Sequence, residues 1–113
     1  MKILQQKISL DELSKMAAAG FGEMVKGVAD IDHELLALDA ELHSDLEALL
    51  LKEGSKQVSL WGINLYPQAS GEDFIEYDSA INLRPSVGNR SRGVESATVK
   101  KKIIEVVAKW VSR

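Results

Sequence analysis

The chain has 113 residues, no cysteine and a formal net charge of −3. It is long enough to bury a core as one domain over 1–113 without staples. The missing thiols exclude disulfides and thiolate metal sites, and the acidic balance argues against a general nucleic-acid coat. No apolar run approaches a membrane span, and MKILQQKISLDEL is neither signal peptide nor anchor, so the expected compartment is the cytoplasm.

Residues 2–6 (KILQQ) suit a short strand. Ser9-Leu10-Asp11-Glu12 then has capping-box spacing, and Leu10, Leu13, Met16 and Ala17 share one helical face. The prediction is a helix over about 10–19, with Gly20 as its left-handed stop. Residues 24–31 (MVKGVADI) read as a strand, DIDH as a turn and 34–42 as a second strand. DIDHE lacks the glycine and spacing of a calcium loop.

Ser44-x-x-Glu47 repeats the capping-box spacing ahead of Leu46, Leu49 and Leu50, which fits a short helix ending at Gly54. A strand through ALLLKEGS competes with it, because a short apolar run does not settle its own period. Residues 58–66 (VSLWGINLY) form a strand with Trp61, Ile63 and Leu65 on one side and Leu60, Gly62, Asn64 and Tyr66 on the other. After the loop PQASGED, residues 74–84 form the next strand, antiparallel to 58–66. It would carry a polar row of Glu76, Asp78, Asn82 and Arg84, joined by Asn64. A loop follows Pro85 to about Glu95. Val99, Ile103, Val106, Val107 and Trp110 then mark the stripe of a helix over about 97–111. Trp61 and Trp110 are expected in the core.

The expected class is α+β: an antiparallel-rich sheet of about four to five strands, with two longer helices and one short helix packed on one face.

Charge is unevenly distributed. Between Gly27 and Leu51 lie seven acids and both histidines, with no lysine or arginine. Between Arg84 and Lys102 lie six basic residues and one acid, Glu95. Three of the four arginines, Arg84, Arg90 and Arg92, fall in one window. Arginine offers a fork of donors for carboxylate or phosphate oxygens. Gly88 and Gly93 permit backbone N–H groups to converge, Ser86, Asn89 and Ser91 add small donors, and a helix N-terminus follows. Lys100, Lys101 and Lys102 sit near that helix start, where cations are disfavoured by the macrodipole. A bound anion nearby would account for them, and so would salt bridges to the acidic 27–51 segment. Neither nucleotide-loop glycine pattern is present.

LHSDLE is the second candidate. His43 could act as general base with Asp45 or Glu47 orienting it, against the plainer reading that Ser44, Asp45 and Glu47 serve the helix start. The H-x-x-x-E spacing is too weak to indicate a metal, and neither a metal nor a cofactor is expected.

ELHSDLE, LWGINLYP, FIEYDSAINLRPS and GNRSRGV together resemble a family of short uncharacterised proteins from bacteria and archaea, known only as a domain of unknown function. The resemblance covers residues 24–110. It implies a soluble prokaryotic protein of one domain and supplies no catalytic residues.

Three readings remain. The leading one is a cytoplasmic binding module in which Arg90 and Arg92 clamp a phosphate- or carboxylate-bearing ligand, Arg84 orients it, and Asn89 and Ser91 donate hydrogen bonds. The runner-up is a small hydrolase-like enzyme using His43 with Asp45 or Asp78 beside that loop. The third is a structural protein that forms homo-oligomers through its charge asymmetry. No reading calls for a membrane or nucleic acid.

Overall fold

The computed structural model describes residues 1–113. Strand β1 is Lys2–Ile3 and β2 is Ile8–Ser9. Helix α1 follows at Leu10–Ala19. Strands β3 (Val25–Asp30) and β4 (Leu35–Leu38) form a hairpin, and helix α2 spans His43–Lys52. Strands β5 (Leu60–Leu65) and β6 (Ile75–Glu76) come next, then α3 (Ala97–Trp110) and β7 (Val111–Ser112). The α+β class holds, with a five-stranded antiparallel sheet ordered β1-β4-β3-β5-β6. A second, two-stranded parallel sheet joins β2 to β7 and ties the two ends of the chain together.

The helices do not share one face of the sheet, as the sequence had suggested. Leu13 and Ala17 of α1 and Ile103, Val106 and Val107 of α3 pack with Ala29, Leu36, Leu38, Trp61, Ile63 and Leu65. Leu46 and Leu50 of α2 pack instead with Val28, Ala37 and Leu60, which alternate with that set and face the other way. Central strands covered on both sides lose the apolar–polar alternation, and all six residues of β5 are buried. Asn64 is thus a polar group buried in a central strand, and it marks the α2 side.

The α1 capping box forms as its spacing predicts. The Ser9 hydroxyl accepts from the Glu12 amide and the Glu12 carboxylate receives the Ser9 amide. Gly20 is not left-handed, however; the positive φ of 96° falls on Gly22. Residues 34–42 form a shorter strand than expected, because Asp39 takes a φ of 75° and turns the chain out of the sheet. Helix α2 rules out the competing strand through ALLLKEGS, but Ser44 does not cap it. Leu42 occupies the N-cap with no side-chain bond, and Ser44 lies one residue inside the first turn. The indole of Trp110 is half-buried rather than core, and donates to the Glu34 carbonyl at 2.7 Å.

The largest departure concerns residues 74–84. Only Ile75 and Glu76 pair with β5. Beyond them the Ser79 hydroxyl accepts from the Ile81 amide and starts a 3-10 turn over Ala80–Asn82. The polar row of Glu76, Asp78, Asn82 and Arg84 therefore does not exist as one face of a strand. Asn82 turns its side chain onto the edge of β5 instead: Oδ1 accepts from the Gly62 amide at 2.8 Å and Nδ2 donates to the Gly62 carbonyl at 2.9 Å. One amide side chain thus supplies the donor and acceptor that a neighbouring strand would have offered.

Candidate functional site

The arginine loop is built by two buried asparagines. Arg84 and Asn89 form a backbone bridge, Arg84 N–H to Asn89 O at 2.8 Å and Asn89 N–H to Arg84 O at 3.1 Å. Between them Pro85–Val87 make a 3-10 turn, closed by Gly88 at φ 86°. The Asn89 amide donates to the carbonyls of Asn82 (2.7 Å), Gly93 (2.8 Å) and Ser91 (3.1 Å), while its Oδ1 accepts from the Glu95 amide at 2.9 Å. Asn82 also donates to the Arg92 carbonyl at 3.0 Å. The Ser91 hydroxyl accepts from the Gly93 amide, and the Glu95 carboxylate accepts from the Arg90 amide at 2.7 Å. The side chains of Asn89 and Ser91 thus shape the loop from within.

The three arginines do not converge as one clamp. Arg84 turns inward, its side chain only 11% exposed. It stacks on the Trp61 ring with its guanidinium carbon 5.0 Å from the centroid. Its Nη2 meets Oε2 of Glu47, on α2, at 3.6 Å, an ion contact longer than a hydrogen bond. Burial pulls the Arg84 guanidinium below its ordinary pKa, and the Glu47 carboxylate opposes that pull. Arg92 is half-exposed and donates through Nε to Asp78 at 2.7 Å. Arg90 is exposed, and no carboxylate of the chain pairs with its side chain.

His43 opens α2 beside this loop. It is 8% exposed, and its Nε2 lies 2.8 Å from the Ile63 carbonyl. A carbonyl only accepts, so Nε2 carries the proton and Nδ1 is left as an unprotonated acceptor in the neutral ring. Burial pushes the imidazole below its usual pKa and the positive charges of Lys26 and Arg92 add to that, while the Ile63 carbonyl and the nearby Asn64 side chain work against it. Asn64 adjoins the ring. Its Nδ2 donates to Glu76 at 2.8 Å and to the Asp78 carbonyl at 3.3 Å, which fixes the amide's orientation, and its buried Oδ1 has no hydrogen bond. The Tyr66 hydroxyl also reaches Glu76, at 3.1 Å.

The fold therefore brings His43, Asp78 and Arg92 into one corner, linked through Asn64. Asp45 sits exposed in the first turn of α2 and makes no side-chain bond to His43. Glu47 neither caps the helix nor orients His43, because it faces Arg84. The roles of Asn64 and Asn82 went unread in the sequence, although amides within LWGINL and INLRP were a signal that the backbone nearby would need partners. No group of three or more His, Asp or Glu side chains is placed to share a metal ion.

These features define an α+β protein whose antiparallel sheet is covered on both faces, with a tied arginine loop beside a buried neutral histidine. The chain belongs to the family described as "Protein of unknown function (DUF5674)", which it matches over residues 2–110. No curated protein and no solved structure matches it significantly.

Proposed function

We propose that this chain holds a small ligand bearing a phosphate or carboxylate group, and that Arg90 and Arg92 on the outer side of the 84–95 loop are its contacts. The carrying observation is a contrast within the loop. Asn82, Asn89, Ser91 and Glu95 are all engaged in fixing its shape, whereas the Arg90 guanidinium has no internal ion-pair partner and Arg92 uses only its Nε. A rigid platform that presents two guanidinium forks lowers the ordering entropy of capturing an oxyanion. Arg84 is outside this contact set, and Asn89 and Ser91 support it from behind. The test is a titration with inorganic phosphate and with acetate, followed by amide shifts. Gly88–Val94 should move at millimolar concentrations, and Arg92→Ala should weaken the response about tenfold. Amides that stay still up to tens of millimolar of both anions would refute the reading.

A second reading has its own observation. The free Nδ1 of neutral His43, in the same corner as Arg92 and Asp78, suits a general base acting on a substrate whose anionic group Arg92 holds. Nitrogen-15 spectra of the imidazole decide it: at neutral pH Nδ1 should give the unprotonated resonance and Nε2 the protonated one. The opposite tautomer removes His43 as a base on that side.

A further inference from the structure

Strand β6 is the last strand of the sheet, and its open edge faces α3 across an apolar groove of about 640 Å³. Such volume and lining are typical of small-molecule sites. Tyr77 and Ile104 are its more exposed apolar lining, whereas Phe74, Val107 and Val111 are almost fully buried and form its floor. Ile104 and Val107 stand one turn apart on α3, and Val111, the first residue of β7, continues that side past the helix end. Ile104 is half-exposed here, whereas its neighbour Ile103 is fully buried in the core.

The two ends of the groove are unlike its middle. At one end Lys100 lies over the Tyr77 ring at 5.2 Å from the centroid, and no carboxylate of the chain pairs with it. Lys100 stands in the first turns of α3, where the macrodipole disfavours a cation, so an anion at this point relieves an unfavourable charge. At the other end Arg113 lies over the Phe74 ring and donates to the Ala69 carbonyl, with Glu72 on the rim. The Tyr77 phenol is pushed above its ordinary pKa by burial, so it stays a neutral donor beside Lys100.

We infer that this groove is a second binding site, for an amphipathic carboxylate: a flexible acyl chain or flat apolar body along Ile104, Val107 and Val111, with its carboxylate at Lys100. From Lys100 to the end of α3 the helix rises roughly 15 Å, which accommodates a medium-length acyl chain. The Tyr77 side chain lines this groove, whereas the neighbouring Asp78 carboxylate holds Arg92, so adjacent residues serve the two places. The inference does not depend on the arginine-loop reading.

The full chain, methyl-labelled at Ile and Val, is titrated with decanoate and separately with decanol. Decanoate should shift the methyls of Ile104, Val107 and Val111, leave the Gly88–Val94 amides in place, and bind about tenfold more tightly than decanol. Lys100→Ala, at an exposed position, should erase that difference, and Ile104→Glu should abolish both responses. Phosphate should move none of these methyls. Equal affinity for decanoate and decanol, wild-type decanoate binding by Lys100→Ala, or unmoved groove methyls up to the solubility limit would each overturn the assignment.

Discussion

Arg84 and Glu47 meet at 3.6 Å across the gap between the arginine loop and α2, with the Trp61 ring as one wall of the enclosure. Nε, Nη1 and Nη2 of Arg84, Oε2 of Glu47 and Nε1 of Trp61 are all buried there without a hydrogen bond. This is a desolvated ion pair held by charge and stacking alone, and it fastens the loop to the helix that carries His43. The acidic 27–51 segment and the basic 84–102 segment are joined through this contact.

Breaking one half of a buried pair strands the other charge. Glu47→Ala is therefore expected to destabilise the fold by about 3 kcal/mol, with Arg84→Ala similar. The double change Glu47→Leu with Arg84→Met should recover most of that loss, because a buried pair of this kind is replaceable by apolar groups. Urea denaturation of the singles and the double checks it. A double variant no more stable than the worse single would mean that the pair acts through something other than uncompensated charge.

Gly62 sets how closely the 79–84 segment approaches β5. A Cβ at this position would lie 2.5 Å from Cβ and Oγ of Ser79 and 3.1 Å from a carbon of Ile81. Gly62→Ala should push the segment off the strand and strain both Asn82 bonds, at a cost of about 2 kcal/mol. Amide exchange at Gly62 should accelerate in the variant, since its N–H is held only by Asn82 Oδ1. Unchanged exchange and unchanged stability would show that the segment yields freely.

The difference between what could and could not be read from the sequence has a physical origin. Local signals survived: the Ser9–Glu12 box, the Ile103–Val107 stripe and the alternation in LWGINL all depend on neighbours within a few residues. Residues 74–84 failed because their alternation matches a strand equally well, while the deciding interaction is Asn82 on Gly62, twenty residues away in sequence. Glu47 failed for the same reason. Its spacing from Ser44 fits a capping box, but its partner is Arg84. The arginine cluster is visible as a cluster in the chain, yet spacing along the chain carries no information on which way each guanidinium turns.

Asp39 adopts a φ of 75° at an exposed position, so its side chain gives little back for the backbone strain. Asp39→Gly is expected to stabilise the protein by about 0.5–1 kcal/mol, read as a higher thermal midpoint. Asp39→Val, with a branched Cβ, should lower the midpoint. The change lies ahead of α2, so a shift in His43 chemistry would reveal that this turn also sets the start of the helix.

Two buried groups give the stability a defined pH dependence. Asp30 is fully buried, which alone would raise its pKa, but bonds from the His33 amide, the Ser55 hydroxyl, the His33 ring and the Asp32 amide outweigh burial and hold it below the ordinary value. Its contribution is complete above the unfolded carboxyl value of about 3.9 and is lost as pH falls through the lower folded value. His43 acts earlier. Its folded pKa lies below the unfolded value of about 6.5, so from there downward the unfolded chain takes up a proton that the native ring resists. Stability should be flat above about pH 7 and begin to fall below about 6.5, well before any carboxylate titrates. His43→Gln keeps a donor for the Ile63 carbonyl but does not titrate, and its stability should stay level down to the carboxylate range. If wild type and His43→Gln show the same slope between about pH 6.5 and 5, the buried imidazole is not the group that takes up the proton.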